Sequence, residues 1–253
     1  MSELKPLIVV AGVGNGSGTG GSTARLFAKN GYSVALIARG ADSLKKITDE
    51  INSSEGDAAP FAIEAYNAAN VSAVFVKIFE KFPAQTHTLR IALWNVAEGV
   101  FKNFLSITPE EVSTTFSSSV APAFAFSREV ILKFKENDIV DGTRGTLLFT
   151  GATASVRGNV LTSLFSAGKH AERALSQSLA KEFGRQNIHV VHAIIDGPIL
   201  TDNQRNRNTK EWEKNEDIRL DPDAIALAYQ YVVGQHRSAW TWELDLRPAH
   251  EKW

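Results

Sequence analysis

The chain has no cysteine, no run of about 18 apolar residues and no surplus of charge of either sign. Each absence removes a class of function. Without cysteine there are no disulfides, no thiolate metal sites and no cysteine nucleophile. Without a long apolar run there is no conventional membrane span. The opening MSELKP enters the first apolar segment with no basic-then-apolar signal pattern, so a soluble, cytoplasmic protein is expected. With 27 basic against 28 acidic side chains, net −1, nothing draws the chain electrostatically onto nucleic acid or an anionic membrane. His, Asp and Glu do not fall at metal-ligand spacing, so no metal is expected. Small molecules and further protein subunits remain as partners. At 253 residues the chain suits one large α/β domain over 1–253 rather than two small ones.

The most informative stretch is residues 7–31, LIVVAGVGNGSGTGGSTARLFAKNG. An apolar, β-branched run breaks into a glycine-rich turn and opens onto a helical composition at 22–30, with a second apolar strand at 32–38. Gly14, Gly18 and Gly20 read as GxxxGxG, with Gly12 and Gly16 interleaved. Glycines there permit a sharp turn and let a pyrophosphate approach the helix N-terminus, where free N–H groups and the dipole favour negative charge. This strand, turn, helix and strand order is the context a dinucleotide fingerprint requires. Arg39 follows the second strand, where an Asp or Glu would hold the ribose hydroxyls of NAD. An Arg there pairs with the extra 2′-phosphate of NADP, so NADP(H) is favoured over NAD(H).

Further elements follow from periodicity and punctuation. Helices are expected at 43–53, 71–82, 108–136, 163–183 and 222–233, and strands at 60–66, 89–94, 145–150, 188–195 and 239–246. Thr108-Pro109-Glu110-Glu111 reads as a capping box with Pro at the first helical position, and Pro122 should bend the long helix this box opens unless that helix is really two pieces. Residues 202–220 turn polar, with Trp212 and Ile218 as the large apolar residues before Leu220, which suits a mobile lid. Alternating strand and helix predicts a Rossmann-type, doubly wound α/β fold, with a mostly parallel seven-stranded sheet covered on both faces.

The chain resembles the short-chain dehydrogenase/reductase family from Leu7 to about Thr201. The family's TGxxxGxG loop is matched by Val13-Gly14-Asn15-Gly16-Ser17-Gly18-Thr19-Gly20, with Val13 in place of Thr. Its NNAG corresponds to Asn95-Val96-Ala97-Glu98, and its adenine-contacting Asp to Asn67, beside Ala68. Its PG turn, whose backbone holds the nicotinamide carboxamide, corresponds to Asp196-Gly197-Pro198-Ile199 and Thr201. The resemblance implies that these residues surround a dinucleotide. Family members are commonly dimers or tetramers, and the small and apolar residues on the two long helices suit a homodimer or homotetramer.

The family's chemistry rests on Asn, Ser, Tyr and Lys, and here the pattern departs. YxxxK becomes Phe165-Ser166-Ala167-Gly168-Lys169, the Ser slot thirteen residues earlier is Ala152, and the Asn slot is Ser119. Only Lys169 is retained, four residues after Phe165 on one helical face, with the family role of hydrogen bonding the nicotinamide ribose. A positioned acid contributes about 10²–10⁴-fold to carbonyl reduction, and phenylalanine supplies no proton. The substitute candidates are Thr153, beside the vacant Ser slot, and Asp196, should apolar neighbours favour its protonated form. His170 should point about 100° away from Lys169, His192 reads as a core histidine, and Arg157 is a possible anion partner. The expected function is hydride transfer between NADP(H) and a small carbonyl, imine or iminium compound with a non-standard proton source. The alternative is a dinucleotide-binding protein without redox turnover.

Overall fold

The computed structural model describes residues 4–251, so the first three residues of the MSELKP opening lie outside the described part. Seven strands, β1 (Lys5–Ala11), β2 (Ser33–Ala38), β3 (Asp57–Ala62), β4 (His87–Trp94), β5 (Gly145–Thr150), β6 (Ile188–Ile195) and β7 (Glu243–Leu246), form one sheet in the order β3-β2-β1-β4-β5-β6-β7. Every neighbouring pair is parallel, where a mostly parallel sheet was expected. The order reverses between β1 and β4, which makes the carboxyl ends of those strands the crevice of the fold.

Nine α-helices cover the sheet among the described residues: α1 (Thr19–Lys29), α2 (Ala41–Ser53), α3 (Ala68–Lys81), α4 (Pro109–Thr115), α5 (Ala121–Glu136), α6 (Ser163–Phe183), α7 (Asp202–Arg205), α8 (Lys210–Lys214) and α9 (Pro222–Val233). Strand side chains alternate between faces. Leu7, Val9 and Ala11 of β1 therefore join α3, α5 and α6 through Phe75, Phe126 and Leu175. Ile8 and Val10 join α1, α2 and α9 through Phe27, Leu44 and Tyr229 on the other face. Because both faces are covered, β1, β2, β5 and β6 read as nearly unbroken apolar runs.

Several boundaries differ from expectation for physical reasons. The third strand runs Asp57–Ala62 rather than 60–66; Pro60 fits because β3 is an edge strand, where a missing N–H is tolerated. Tyr66 leaves the strand and donates its hydroxyl to Ile37 O at 3.0 Å. The helix expected over 108–136 runs through a π turn at Phe116–Val120, and Pro122 follows directly after it, where the regular i to i−4 hydrogen-bond ladder is already shifted. The capping box at Thr108 and Glu111 is formed. The last strand is shorter than 239–246. Trp240 lies outside it and stacks flat on His189, with centroids 4.6 Å apart and planes at 7°. No helix of the described residues is long and apolar enough to cross a membrane.

Candidate active site

The turn after β1 is built by close backbone approaches. Gly12 has φ +90°, and a Cβ there would lie 2.5 Å from Asn95 O, so only glycine fits. Its N–H meets the Tyr66 hydroxyl at 2.9 Å, and its carbonyl accepts from Asn95 Nδ2 at 2.8 Å. Burial pushes the Tyr66 phenol up to about 12, so this tyrosine is a neutral hydrogen-bonding strut rather than an acid. Helix α1 starts at Thr19, three residues before the expected boundary, because Gly20 and Gly21 pack their bare backbones into it. A Cβ at Gly20 would lie 2.8 Å from Gly12 O, and one at Gly21 only 2.1 Å from Gly16 O. Gly21 was missed by the motif reading, although the doubled Gly20-Gly21 was its signal. Gly18 caps α1 without a side-chain hydrogen bond, and the first turn carries no acidic residue. The N-terminal N–H groups and dipole are therefore directed at whatever anion lies before the helix.

This turn, the ends of β4, β5 and β6, and α6 enclose a cleft of about 470 Å³. The expected residues Gly14, Ser17, Gly18, Thr19, Gly20, Asn95, Ala97, Lys169, Gly197, Ile199 and Thr201 line it together, with Ala152 and Phe165 in the same wall. Gly16, Arg39, Asn67, Ala68, Val96, Ser119, Thr153 and Asp196 are not in that wall. Asn67 caps α3, its Oδ1 accepting from Asn70 N at 2.8 Å. Arg39 is exposed at the end of β2, 3.8 Å from Glu98 Oε1, with its guanidinium 5.9 Å from the centre of the Tyr66 ring. Val96 contributes its carbonyl, which accepts from Lys169 Nζ at 3.1 Å.

Lys169 is buried and donates three hydrogen bonds, to Val96 O, to Thr150 O at 3.2 Å and to Glu172 Oε2 at 2.8 Å. An ammonium has three N–H donors, so protein acceptors engage all of them. Glu172 is equally buried. Desolvation pushes its carboxyl above the usual range, against the pull of Lys169 and a weaker one from the Trp94 indole. Glu172 was not legible as a site residue, because a lone Glu in a helical run reads as a solvated face.

The remaining candidates are placed less favourably for proton transfer. Apolar neighbours were the condition for Asp196 to act as an acid, and the structure corrects that expectation. Its carboxylate is buried against Arg157 at 3.5 Å and Arg247 at 3.4 Å and accepts from the Thr153 hydroxyl. The Asp196 carboxyl group lies between two guanidinium groups, and the Thr153 hydroxyl is engaged by it. Ser119 sits buried in the π turn, its hydroxyl without a partner among the described residues. His170 is exposed, bonded to Ser166 O at 2.8 Å and directed away from the cleft. His192 is a core residue, with Nδ1 2.9 Å from Glu243 Oε2, and burial drives it down to about 4. Phe165 faces Phe101, with ring centroids 5.0 Å apart. Among the described residues no group of three or more His, Asp or Glu is arranged to hold a metal ion.

Residues 202–220 contain α7, α8 and a 3₁₀ turn at Glu216–Ile218. Asp202 ties this segment to the glycine turn: its N–H meets Ser17 Oγ at 3.1 Å, and its carboxylate accepts from Asn15 Nδ2 at 3.0 Å.

Comparison with known proteins agrees with this fold. A family model described as short chain dehydrogenase matches residues 7–212. A Bacillus subtilis (strain 168) protein named uncharacterized oxidoreductase YxnA is 24% identical over 239 residues, covering 92% of this chain and 64% of the relative. The chain thus spans less than two thirds of that relative's length. A Rhizobium meliloti protein named probable galactose dehydrogenase GalD is 26% identical over 205 residues, covering 81% of this chain and 75% of the relative. Among solved structures, a short-chain dehydrogenase from Rhodopseudomonas palustris superposes with a TM-score of 0.76 at 27% identity, covering 96% of this chain and 98% of that one. The L-sorbose reductase of Gluconobacter frateurii, complexed with NADPH and L-sorbose, gives 0.83 at 18% identity, covering 100% and 99%. With a family model matched over most of its length, the chain belongs to the short-chain dehydrogenase family.

Proposed function

We propose that the cleft binds NADP(H) and that the protein reduces a small carbonyl or imine/iminium compound, with a proton source other than the family's phenol. The observation that carries this reading is the cradle at the start of α1. Gly12, Gly20 and Gly21 leave no room for side chains, and no side chain hydrogen-bonds the helix N-terminus as a cap. Such a surface suits a pyrophosphate. Arg39, with no acidic residue at 38–40, suits a 2′-phosphate. Asn67 Oδ1 is occupied as a helix cap, so Nδ2 is the group it offers an adenine. The backbone at Gly197, Ile199 and Thr201 lines the part of the cleft assigned to the carboxamide.

When bound, a nicotinamide dinucleotide supplies a hydride. Reduction of a carbonyl also needs a proton on oxygen, whereas an iminium carbon accepts hydride without one. Ala152 and Phe165 offer no proton, and the Lys169 N–H groups engage Val96, Thr150 and Glu172, so the wall suits a substrate with little need of an acid. The same observation supports a second reading, a dinucleotide-binding protein without redox turnover. Incubation with NADPH and a panel of ketones, imines and quinones, following loss of NADPH absorbance, separates the two. Turnover favouring iminium compounds supports the reductase. NADPH binding without consumption of cofactor on any compound overturns it in favour of the second reading.

Val112, Phe116, Phe124 and Leu132 are exposed along α4 to α5 and support a homo-oligomer built on that face, which light scattering on the purified protein tests.

A further inference from the structure

The wall of the cleft where a carbonyl would lie is apolar at both positions that normally carry a hydroxyl, Ala152 and Phe165. The Phe101 ring lies 5.0 Å from Phe165, tilted by 44°, and rests on the backbone of Gly99, where a Cβ would come within 2.4 Å of it. Phe101 is 60% exposed and belongs to residues 95–103, which form neither helix nor strand. Lys102 N donates to Leu161 O at 3.0 Å, tying this loop to the one before α6, and that loop presents Val160 and Leu161 to solvent. Two linked loops thus carry exposed apolar side chains, and one of them, Phe101, meets the Phe165 ring that lines the cleft.

We propose that Phe165 and Phe101 form an aromatic shelf that takes a flat, apolar ring of the substrate, which makes the substrate class aryl ketones, quinones and aryl iminium compounds. This rests on the reading above that the cleft takes a nicotinamide dinucleotide beside a carbonyl or iminium carbon. With no hydroxyl at position 152 or 165 to orient the reacting group, ring contact is a means of fixing its approach, and offset or tilted aromatic pairs supply it. A polyhydroxylated substrate would set its hydroxyls against the two phenylalanines and leave them without partners, which disfavours it. Phe101, carried on an irregular loop, is the half of the shelf that adjusts to the ring.

The test measures binding apart from turnover. 2-Acetonaphthone and cyclohexyl methyl ketone are titrated calorimetrically into the protein, with and without NADP⁺, which has no hydride to give. The naphthyl ketone should bind about fivefold more tightly, and Phe101→Leu and Phe165→Leu should each bring the two ligands within about twofold. Equal affinities in the parent, or a preference that survives both substitutions, overturn the shelf. Phe101 is exposed, so its variant carries the test should Phe165→Leu melt early. A naphthyl preference with no NADPH consumption on any ketone, imine or quinone of the panel supports the shelf and sinks the hydride-transfer reading. Equal binding with equal consumption on both ketones sinks the shelf and leaves that reading intact.

Discussion

Lys169 and Glu172 form an ion pair inside α6, Nζ to Oε2 at 2.8 Å, with both side chains buried beneath the cleft. The pair explains how a lysine stays buried after its usual phenolic neighbour has gone: the counter-charge comes from one turn further along the same helix. Glu172→Gln leaves the ammonium without that counter-charge and should cost about 3–5 kcal/mol of stability. Replacing both partners, Lys169→Met with Glu172→Leu, should cost less than either single change. Urea denaturation of the three variants checks this, and strictly additive costs would contradict it.

The same pair sets the terms for restoring the family's acid. Glu172 neutralises the charge that would lower the pKa of a phenol at position 165, so Ala152→Ser with Phe165→Tyr should give little gain on simple ketones. Adding Glu172→Gln frees the charge, and the triple variant should then gain about 10²-fold or more in kcat/KM. A double variant already fully active on ketones would mean that Glu172 does not screen Lys169.

Cofactor choice turns on Arg39 and its neighbour Glu98, 3.8 Å away. Arg39→Ala should weaken NADPH by about 1.5–3 kcal/mol and leave NADH nearly unchanged. Glu98→Gln removes a competitor for the guanidinium and should strengthen NADPH several-fold. Calorimetric titration of both cofactors reads both effects, and equal losses for NADH and NADPH would remove Arg39 from the site.

His192 is buried neutral, driven down to about 4 from an ordinary 6.5. The unfolded chain binds a proton there between those values and the folded chain does not, so stability should fall as pH drops from 6.5 toward 4. The loss is about 2–3 kcal/mol by linkage. His192→Gln, which retains a polar group toward Glu243, should flatten that part of the stability profile. Melting temperatures across the window check it.

The segment over 202–220 is held at both ends, by Asp202 on Ser17 and Asn15 and by Leu220, whose backbone bonds to Pro198 and Leu200, and carries only short helices between them. Hydrogen exchange should show added protection there when NADPH binds, because cofactor orders the turn to which Asp202 is tied. Asp202→Ala should abolish most of that gain while leaving the protection of β1 unchanged. Equal protection with and without cofactor would reject a lid.

Local chemistry decided much of this protein before any tertiary contact formed. The β-branched run, glycine turn and alanine-rich helix at residues 7–31 encode their own backbone geometry, and the helix Ser163–Phe183 and strand Ile188–Ile195 begin and end where their periodicity does. The vacancies at Ala152 and Phe165 were likewise legible, through the resemblance to the family's Ser and YxxxK positions. Contacts between distant segments were not. That Lys169 reaches Glu172 and the carbonyls of Val96 and Thr150 depends on how α6 packs against β5 and β6. That Asp196 lies between two arginines depends on Arg157 and Arg247, which enter from different loops. A charged side chain's role is set by its burial and its neighbours' charges, and only the packed structure supplies both.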